Sequence, residues 1–511
     1  MKKKALILII ITIMTSIFGF AKSIALAYYY GASSIADVYV IATTIPTLFF
    51  AFFGIAVKSG VIPIYNQIVI NDDVDDAHYF LNNLISLLTI LLIFCALFIF
   101  LFSNQLVEIL APGLSDNSII MASSITRITA FSIILQGVTA ILQTYLNIKN
   151  KFTIAALSIM PLNIIILLSI ILSAEYGFIY LAYGFLVGTL AQTLMLVFVV
   201  IKNKYSFKLT FKPNDLNIKK FLILIAPILL SVIVNDINIM IDKALASQVV
   251  IGGVSALNYS QRLVTFIQST IIISISTIAF PQFSKYYSEK NMSRLKGSII
   301  DNLKLVLLII FPIVMGVVFY SSEIVELIYG RGAFDESARK FTSIALIYYS
   351  IGIIGFGLNS IFTRYFYAIQ KSTIPMIGAL MSATVNLTLN LVFYNYTNMG
   401  IGGIALSTSI ATLINSIWLG TILRKELGKI VNNYDLVYFI KIIISSILMI
   451  FVTKCVQNNM LMYIEVNKNL LTILVVVLAA ILYFMTLLFV NVKEVMTVTK
   501  QFIKIFYKRK S

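Results

Sequence analysis

The sequence contains few charged residues. Only 12% of its 511 residues are Asp, Glu, Lys or Arg, whereas a soluble domain carries about 25%. Hydrophobic residues make up 59%, and the mean hydropathy is +0.97. Apolar runs of about twenty residues recur from end to end, which is long enough for membrane helices and too long for barrel strands. The composition excludes a soluble protein and predicts an all-α polytopic membrane protein, because the backbone in lipid must bond internally.

Cysteine, histidine and nucleotide-binding motifs are also scarce. Cys95 and Cys455 are the only cysteines, and both lie in or beside apolar segments, which argues against a disulfide framework. His78 is the only histidine, which argues against a histidine-based metal or catalytic centre. No G-x-x-x-x-G-K-[ST] motif occurs, so no Walker loop is present to use ATP. We expect a transporter without a cofactor, driven by membrane potential or an ion gradient, and not an enzyme.

Fourteen apolar segments have the length of membrane spans. The first resembles a signal peptide but lacks a small-residue cleavage site, so we interpret it as an uncleaved span. The predicted spans cover residues 5–29, 35–57, 79–102, 119–146, 153–173, 177–201, 221–247, 254–283, 303–322, 341–367, 374–394, 400–423, 437–455 and 470–491.

Basic residues concentrate in alternate loops, and this explains the net charge of +17 without nucleic-acid binding, which we do not expect. Lys and Arg follow spans 4, 6, 8 and 12 and close the chain, so both termini are predicted to be cytoplasmic. Loop 323–340 fits poorly, since it is predicted to be external yet contains Arg331, Arg339 and Lys340. The loops without Lys or Arg are 30–34, 103–118, 248–253 and 395–399.

Short motifs recur in the two halves of the chain. The pattern Y-x5-K-x-T begins at Tyr145 and again at Tyr365, and VIPIY at 61–65 resembles AFPQF at 279–283. The two copies of the first motif are 220 residues apart, and the prolines of the second are 218 residues apart. This nearly equal spacing indicates a duplication of six spans.

The duplication predicts three regions. An N-lobe covers 1–205, a C-lobe covers 206–425, and two added spans with a basic tail cover 426–511. Parallel repeats of this kind can rock around a central site, which is the motion of alternating access.

We single out nine ionisable residues within or at the ends of predicted spans, where a charge costs several kcal/mol unless it faces a cavity or a partner. Cations outnumber acids among them, so a cavity that they line would attract an anion, and pyrophosphate is a group that Lys and Arg bind well. Alternatively, several of them snorkel to the membrane surface or form structural pairs. The nine are Lys22, Asp37, Lys58, Arg127, Asp236, Asp242, Lys243, Arg262 and Arg364.

A second group of polar residues suggests a cation site. Asn386 and Asn390 are four residues apart and therefore share one helix face. Thr408 in the next span and Asp242 in span 7 would add further oxygen atoms. Oxygen ligands suit a hard cation, so these four residues form a candidate Na⁺ site. The alternative is ordinary hydrogen bonding between helices.

Several segments resemble one transporter family. Residues 19–46, GFAKSIALAYYYGASSIADVYVIATTIP, resemble the opening signature of the MurJ (MviN) lipid II flippases. Segments 241–264, 329–342 and 366–376 are similar to later parts of the same family, and the resemblance extends over about 5–425. It implies the MATE-like fold of the MOP exporter superfamily, with fourteen helices, a central cationic cavity and a lipid groove at spans 13 and 14.

The resemblance also implies functional roles. It implies a flippase that moves lipid II across the bacterial cytoplasmic membrane, with lipid II, membrane lipid and cell-wall synthesis proteins as partners. Arg262 falls on the family's basic cavity position, and Asp37 is expected to pair with a cavity cation and help to gate the external side. The candidate substrate-binding residues are Lys22, Arg262, Arg127, Asp37 and Ser16.

Departures from the family pattern leave other functions open. Gram-negative members have arginine where this chain has Ser16 and Lys22, so its first half has fewer cations. A Wzx-type flippase for another polyprenyl-pyrophosphate-linked oligosaccharide is therefore an alternative. A multidrug or cation antiporter of the same superfamily would prefer an acidic cavity, and a membrane scaffold for cell-wall enzymes would not need buried charges.

Overall fold

The computed structural model describes residues 2–71, 73–202, 205, 207–463, 468–496 and 499. These residues are almost entirely helical, and no strand occurs among them. The first nine helices are α1 (Lys2–Tyr30), α2 (Ser34–Asn71), α3 (Val74–Leu101), α4 (Ser103–Leu110), α5 (Asp116–Ala130), α6 (Ser132–Ile148), α7 (Phe152–Leu157), α8 (Ile159–Tyr176) and α9 (Ile179–Lys202). The others are α10 (Leu216–Val249), α11 (Gly253–Ile267), α12 (Ile273–Ser288), α13 (Met292–Tyr329), α14 (Glu336–Ala368), α15 (Thr373–Tyr396), α16 (Ile401–Leu427), α17 (Asn433–Tyr463) and α18 (Lys468–Phe489).

Every predicted span coincides with one helix or with helices that follow one another closely. Eleven helices in the described part of the chain are long and apolar enough to cross a membrane, and the pair α5–α6, bent by 40°, makes a twelfth. The all-α polytopic fold is therefore confirmed, while the number of fourteen spans stays a prediction.

Several helices are bent or irregular where the sequence or the backbone geometry explains it. Proline interrupts the backbone hydrogen bonding of α2 at Pro46 and Pro63 and of α13 at Pro312. Tyr320 in α13 has non-helical backbone angles, with φ −123° and ψ 22°. A π-helical turn, Gln268–Ile272, joins α11 to α12. Such turns are frequent at functional sites, and this one begins a few residues after Arg262.

The repeated Y-x5-K-x-T motif has the same structure in both halves. Asn150 and Gln370 adopt left-handed backbone angles, with φ 57° and 61°. The N–H groups of Lys151 and Lys371 each donate to the carbonyl five residues earlier, at 2.8 and 2.9 Å. Both segments are Schellman caps that end a helix, so the matching letters correspond to matching local structure.

The chain forms two compact units. The first comprises Met1–Arg262 and Arg331–Ala338, and the second comprises Leu263–Gly330 and Arg339–Ser511. The first unit has a core between α2, α3, α6, α9 and α10, and the second has a core between α13, α17 and α18. The predicted lobe boundaries at 205 and 425 stay predictions.

Candidate functional site

The first unit contains a cavity of about 580 Å³. Residues of α1, α2, α6, α8, α9, α10 and α11 form its wall. Among the described residues that line it are three cations, Lys22, Lys243 and Arg262, and one acid, Asp236. The excess of positive charge that the sequence suggested is thus concentrated in one cavity of this unit.

The three cations come from α1, α10 and α11, and they lie close enough to influence one another. Lys243 Nζ donates to Thr44 Oγ1 at 2.7 Å, which holds this lysine against α2. Arg262 interacts electrostatically with both Lys22 and Lys243. Like charges in a partly enclosed site repel, and an anionic ligand relieves that repulsion. A phosphate or pyrophosphate group is the ligand that this arrangement supports best.

Uncharged polar side chains complete the wall of the cavity. Amide groups both donate and accept hydrogen bonds, so they suit a ligand with sugar or peptide groups. These residues and Lys243 were not among the sequence-based binding candidates, although a polar residue within an apolar span is the signal that would have found them. The amide and threonine side chains are Thr43, Thr44, Thr47, Gln136, Gln143, Gln192, Asn258 and Gln261.

Two of the five predicted binding residues, Lys22 and Arg262, line the cavity. Arg127 is exposed, and its Nε donates to Ser103 Oγ at 3.0 Å. Ser16 is half-buried on α1. Neither Arg127 nor Ser16 is among the described residues that form the cavity wall, so a role for them in binding stays a prediction.

Asp37, the fifth candidate, joins the beginnings of two helices. Its buried carboxylate lies in the first turn of α2 and accepts hydrogen bonds from the N–H groups of Gly252 and Ser255, at 2.8 and 2.7 Å. These donors lie at the start of α11, where the helix dipole favours a negative charge. The Tyr259 hydroxyl donates to the Gly31 carbonyl at 2.8 Å and adds a second link between the same segments.

Two glycines allow the surrounding loops to approach closely. Gly31 has φ +60°, and a Cβ atom there would lie 2.4 Å from the carbonyl oxygen of Ala333. Gly252 has φ +81°, and a Cβ atom there would lie 2.0 Å from the carbonyl oxygen of Ala32. The Ala333 N–H donates to the Tyr28 carbonyl at 2.7 Å. Only glycine combines these backbone angles with this spacing.

These contacts unite three loops that the sequence predicts to be external. One of them is the basic loop that fitted the charge rule poorly, and its place beside the other two supports the predicted topology. Arg339 at the end of that loop pairs with Glu326 at 3.3 Å, which offsets part of its positive charge. We call the three segments together the loop junction, and they are residues 28–37, 250–259 and 331–334.

The predicted sodium ligands lie in both units. In the second unit, the Asn386 amide donates to Thr408 Oγ1 and the Asn390 amide donates to Asn386 Oδ1, each at 3.1 Å. Asp242 belongs to the first unit. The structure therefore brings Asn386, Asn390 and Thr408 together, and sodium binding by the four residues stays a prediction.

The second unit contains an apolar groove of about 510 Å³ between α13, α17 and α18. An ion pair links α13 to α17 at each end of it. Lys304 Nζ lies 2.7 Å from Asp435 Oδ1, and Lys454 Nζ lies 3.1 Å from Glu323 Oε1. The Lys454 ammonium also lies 4.2 Å from the centre of the Tyr320 ring. The groove suits a hydrocarbon chain, and its location agrees with the lipid groove predicted at spans 13 and 14.

Comparison with known families agrees with this arrangement. The model of the family described as lipid II flippase MurJ matches residues 26–478. The chain belongs to the MurJ lipid II flippase family. MurJ proteins are transporters, so this chain is a multi-span membrane transporter and not an enzyme.

Individual MurJ relatives match along most of their length. A probable lipid II flippase MurJ from Buchnera aphidicola subsp. Baizongia pistaciae is 28% identical over 477 residues, which is 92% of this chain and 90% of that protein. The lipid II flippase MurJ of Thermosipho africanus is 28% identical over 470 residues, which is 91% of this chain and 94% of that protein.

Solved structures confirm the fold. A lipid II flippase MurJ in an inward closed conformation superposes with a TM-score of 0.82 and 26% identity, covering 94% of this chain and 98% of that chain. An inward-facing multidrug resistance MATE family transporter of the MOP superfamily gives a TM-score of 0.70 at 15% identity, covering 83% and 98%. The MATE-like fold predicted from the sequence is therefore confirmed.

Proposed function

We propose that this chain flips lipid II, the undecaprenyl-pyrophosphate-linked peptidoglycan precursor, from the cytoplasmic to the outer leaflet of the bacterial cytoplasmic membrane by alternating access. The observation that carries the proposal is the presence of Lys22, Lys243 and Arg262 on the wall of one cavity. Membership of the MurJ family favours lipid II over the polyprenyl-linked oligosaccharide of a Wzx-type flippase.

Charged and uncharged residues of the cavity bind different parts of the head group. The three cations bind the pyrophosphate, because ionised donors and phosphate oxygens form strong hydrogen bonds. The amide and threonine side chains of the wall contact the sugar and peptide parts. The undecaprenyl tail stays in the lipid and lies along the apolar groove between α13, α17 and α18, where Gly316 leaves space beside the helix.

The loop junction acts as the external gate of this transporter. Asp37 holds the start of α11 through two backbone hydrogen bonds, so release of the head group outward requires these bonds to break. The bonds lie at a helix end, where water can take over the freed N–H groups once the gate opens.

Membrane potential supplies energy for the transport step. The cell interior is electrically negative, so moving one negative charge outward is favourable by about 2.3 kcal/mol per 100 mV. Sodium entering at Asn386, Asn390, Thr408 and Asp242 is a second proposed source of energy. An increase in flipping rate on imposing an inward Na⁺ gradient, lost in Asn390→Ala, would support this source.

The orientation and partners follow from the same proposal. Both termini lie in the cytoplasm, because the basic loops alternate with loops that lack Lys and Arg. Proteins of cell-wall synthesis that consume lipid II at the outer surface are the proposed partners. A reporter fused to the C-terminus that is active only in the cytoplasm tests the orientation.

Substitution of Arg262 tests the flippase proposal. In cells that depend on this copy, we expect Arg262→Ala to reduce the exposure of lipid II at the outer leaflet by about tenfold or more, since a charge-assisted contact is lost. Arg294→Ala is the matched control, because Arg294 is exposed at the start of α13 and does not line the cavity. Exposure of lipid II at the wild-type level by Arg262→Ala, at equal protein amounts, would contradict the proposal.

A further inference from the structure

The connection between α9 and α10 is not helical over residues 207–212, and this segment is attached to α3. The Thr210 N–H donates to Ser86 Oγ at 3.2 Å. The Lys212 N–H donates to Asn83 Oδ1 at 2.8 Å, and the Asn83 amide donates back to the Lys212 carbonyl at 2.9 Å. Side chains of α3 therefore satisfy the backbone of this segment in the way that a neighbouring strand would, and they fix which side chains face outward.

One face of this extended segment is apolar and exposed. Phe207, Leu209 and Phe211 alternate along it, with exposed fractions of 52%, 83% and 59%. The backbone groups of Thr210 and Lys212, two residues apart, both bond to α3, as alternate residues of an extended chain do. Side chains at every second position of such a chain point the same way, so these three share one face. We call them the apolar face of the α9–α10 connection. Large apolar side chains in this pattern are unfavourable in water and indicate a partner.

Lysines surround the apolar face. Lys202 ends α9, Lys208 and Lys212 lie within the connection, and Lys219 and Lys220 follow in the first turns of α10, all of them exposed. Asp215 is the one acidic residue among the described positions from 205 to 220, and its carboxylate accepts from the N–H groups at the start of α10. The charge around the apolar face is therefore strongly positive.

We propose that the α9–α10 connection is a binding surface for anionic lipid head groups. The apolar face inserts into the boundary between head groups and acyl chains, and the lysines contact lipid phosphates. The connection follows a membrane-spanning helix directly, so it lies at a bilayer surface. Its backbone is not helical and cannot enter the hydrocarbon, whereas its apolar side chains gain by doing so.

The inference is independent of the transported substrate. It assigns a lipid partner to a surface outside the cavity, so loss of lipid binding and loss of lipid II transport are separate results. It also predicts that the lipid composition of the cytoplasmic leaflet affects the position of α10, which supplies Lys243 and Asp236 to the cavity.

Site-specific fluorescence in vesicles tests the position of the apolar face. The full chain with Cys95→Ala and Cys455→Ala carries one new cysteine, Leu209→Cys, labelled with an environment-sensitive dye. The matched control is Asn214→Cys, an exposed position of the same connection. In vesicles containing phosphatidylglycerol, we expect lipid-borne quenchers to quench the dye at 209 more than at 214, and aqueous iodide to do the opposite. Equal iodide quenching at the two positions would overturn the proposal.

Removal of the lysine charges tests the preference for anionic lipid. We expect Lys208→Gln with Lys212→Gln to lower the retention of phosphatidylglycerol, measured by mass spectrometry of the purified protein, by about tenfold. Lys285→Gln with Lys290→Gln is the control, because Lys285 lies in the last turn of α12 and Lys290 just after that helix, outside the α9–α10 connection. Unchanged retention, or equal shielding of position 209 in purely zwitterionic vesicles, would overturn the anionic-lipid assignment. Shielding of position 209 only when a soluble protein is added would show that the partner is a protein.

Discussion

The Lys304 ammonium on α13 lies 2.7 Å from the Asp435 carboxylate on α17. A second pair lies 19 residues further along both helices, with the acid, Glu323, on α13 and the base, Lys454, on α17. At a rise of 1.5 Å per residue, about 28 Å of helix separates the two pairs. This is close to the thickness of the hydrocarbon core, about 30 Å. The pairs therefore join α13 to α17 near the two membrane surfaces, with the apolar groove between them.

The two ion pairs are expected to differ in their effect on stability. Lys304 and Asp435 are mostly buried, so Asp435→Asn leaves a lysine without its counter-charge and should cost about 3 kcal/mol. Lys454 and Glu323 are about one-third exposed, so Glu323→Gln should cost less than about 1 kcal/mol. Thermal unfolding in detergent measures both. Lys304→Met in the Asp435→Asn background should recover part of the loss, and simple additivity of the two substitutions would contradict the pairing.

Asp37 is expected to control the opening of the start of α11. Asp37→Asn keeps one acceptor but loses the negative charge, which should weaken the cap by about 1–2 kcal/mol. Hydrogen exchange of the peptide containing Gly252 and Ser255 should accelerate by about tenfold. Asp215→Asn is the control, since Asp215 caps its own helix and asparagine is an equally good cap. Unchanged exchange in Asp37→Asn would remove the carboxylate from the gate.

The glycines of the loop junction should not tolerate a side chain. Gly31→Ala and Gly252→Ala place a Cβ atom 2.4 and 2.0 Å from a carbonyl oxygen at positive φ, and each should destabilise the protein by about 2 kcal/mol or more. Gly297→Ala in α13 meets nothing within 4 Å and should instead stabilise by about 0.5–1 kcal/mol. Melting temperatures of the three variants measure the contrast. A neutral Gly31→Ala would show that the loops separate easily.

The start of α14 should respond to acid. Hydrogen bonds from the Ala338 N–H and the Ser337 hydroxyl hold the pKa of Asp335 below its usual range. A lowered pKa means that this cap is complete above the ordinary value of about 3.9 and is lost as the pH falls through the lower folded value. Hydrogen exchange in residues 336–339 should therefore increase only below about pH 4. Asp335→Asn should remove this dependence on pH, and a transition near neutral pH would contradict the assignment.

The sequence predicted the helices well, and two of its five candidate binding residues lie on the cavity wall. Lys22 and Arg262 were found because an ionisable residue in an apolar span needs a cavity or a partner, and both line the cavity. Arg127 met the same criterion but lies in the last turn of α5, where the helix dipole favours a cation, and it contacts Ser103 instead. Arg127 is in a last turn because α5 ends at Ala130, before α6 begins at Ser132. No proline or glycine lies at this break, so the sequence did not indicate it.

Contacts between segments that are distant in the chain could not be predicted from the sequence. Asp37 was singled out as a charge at the start of a predicted span and was expected to pair with a cavity cation. Its hydrogen-bond donors are backbone groups more than two hundred residues away, and backbone donors leave no pattern of residue types. Lys304 and Lys454 lie within predicted spans and were not singled out, and each pairs with an acid on another helix, 131 residues away in the sequence. Packing, which local patterns do not specify, fixes these pairs.

The donors and the acceptor of the cap on α11 differ in how easily a substitution removes them. Its two donors are main-chain groups that every amino acid except proline provides, so most substitutions at positions 252 and 255 leave the donors present. Its acceptor is a single side chain. If the loop junction is the gate that we propose, one substitution at position 37 of α2 is enough to weaken its closure. Substitutions on α11 are limited chiefly by the space around each residue.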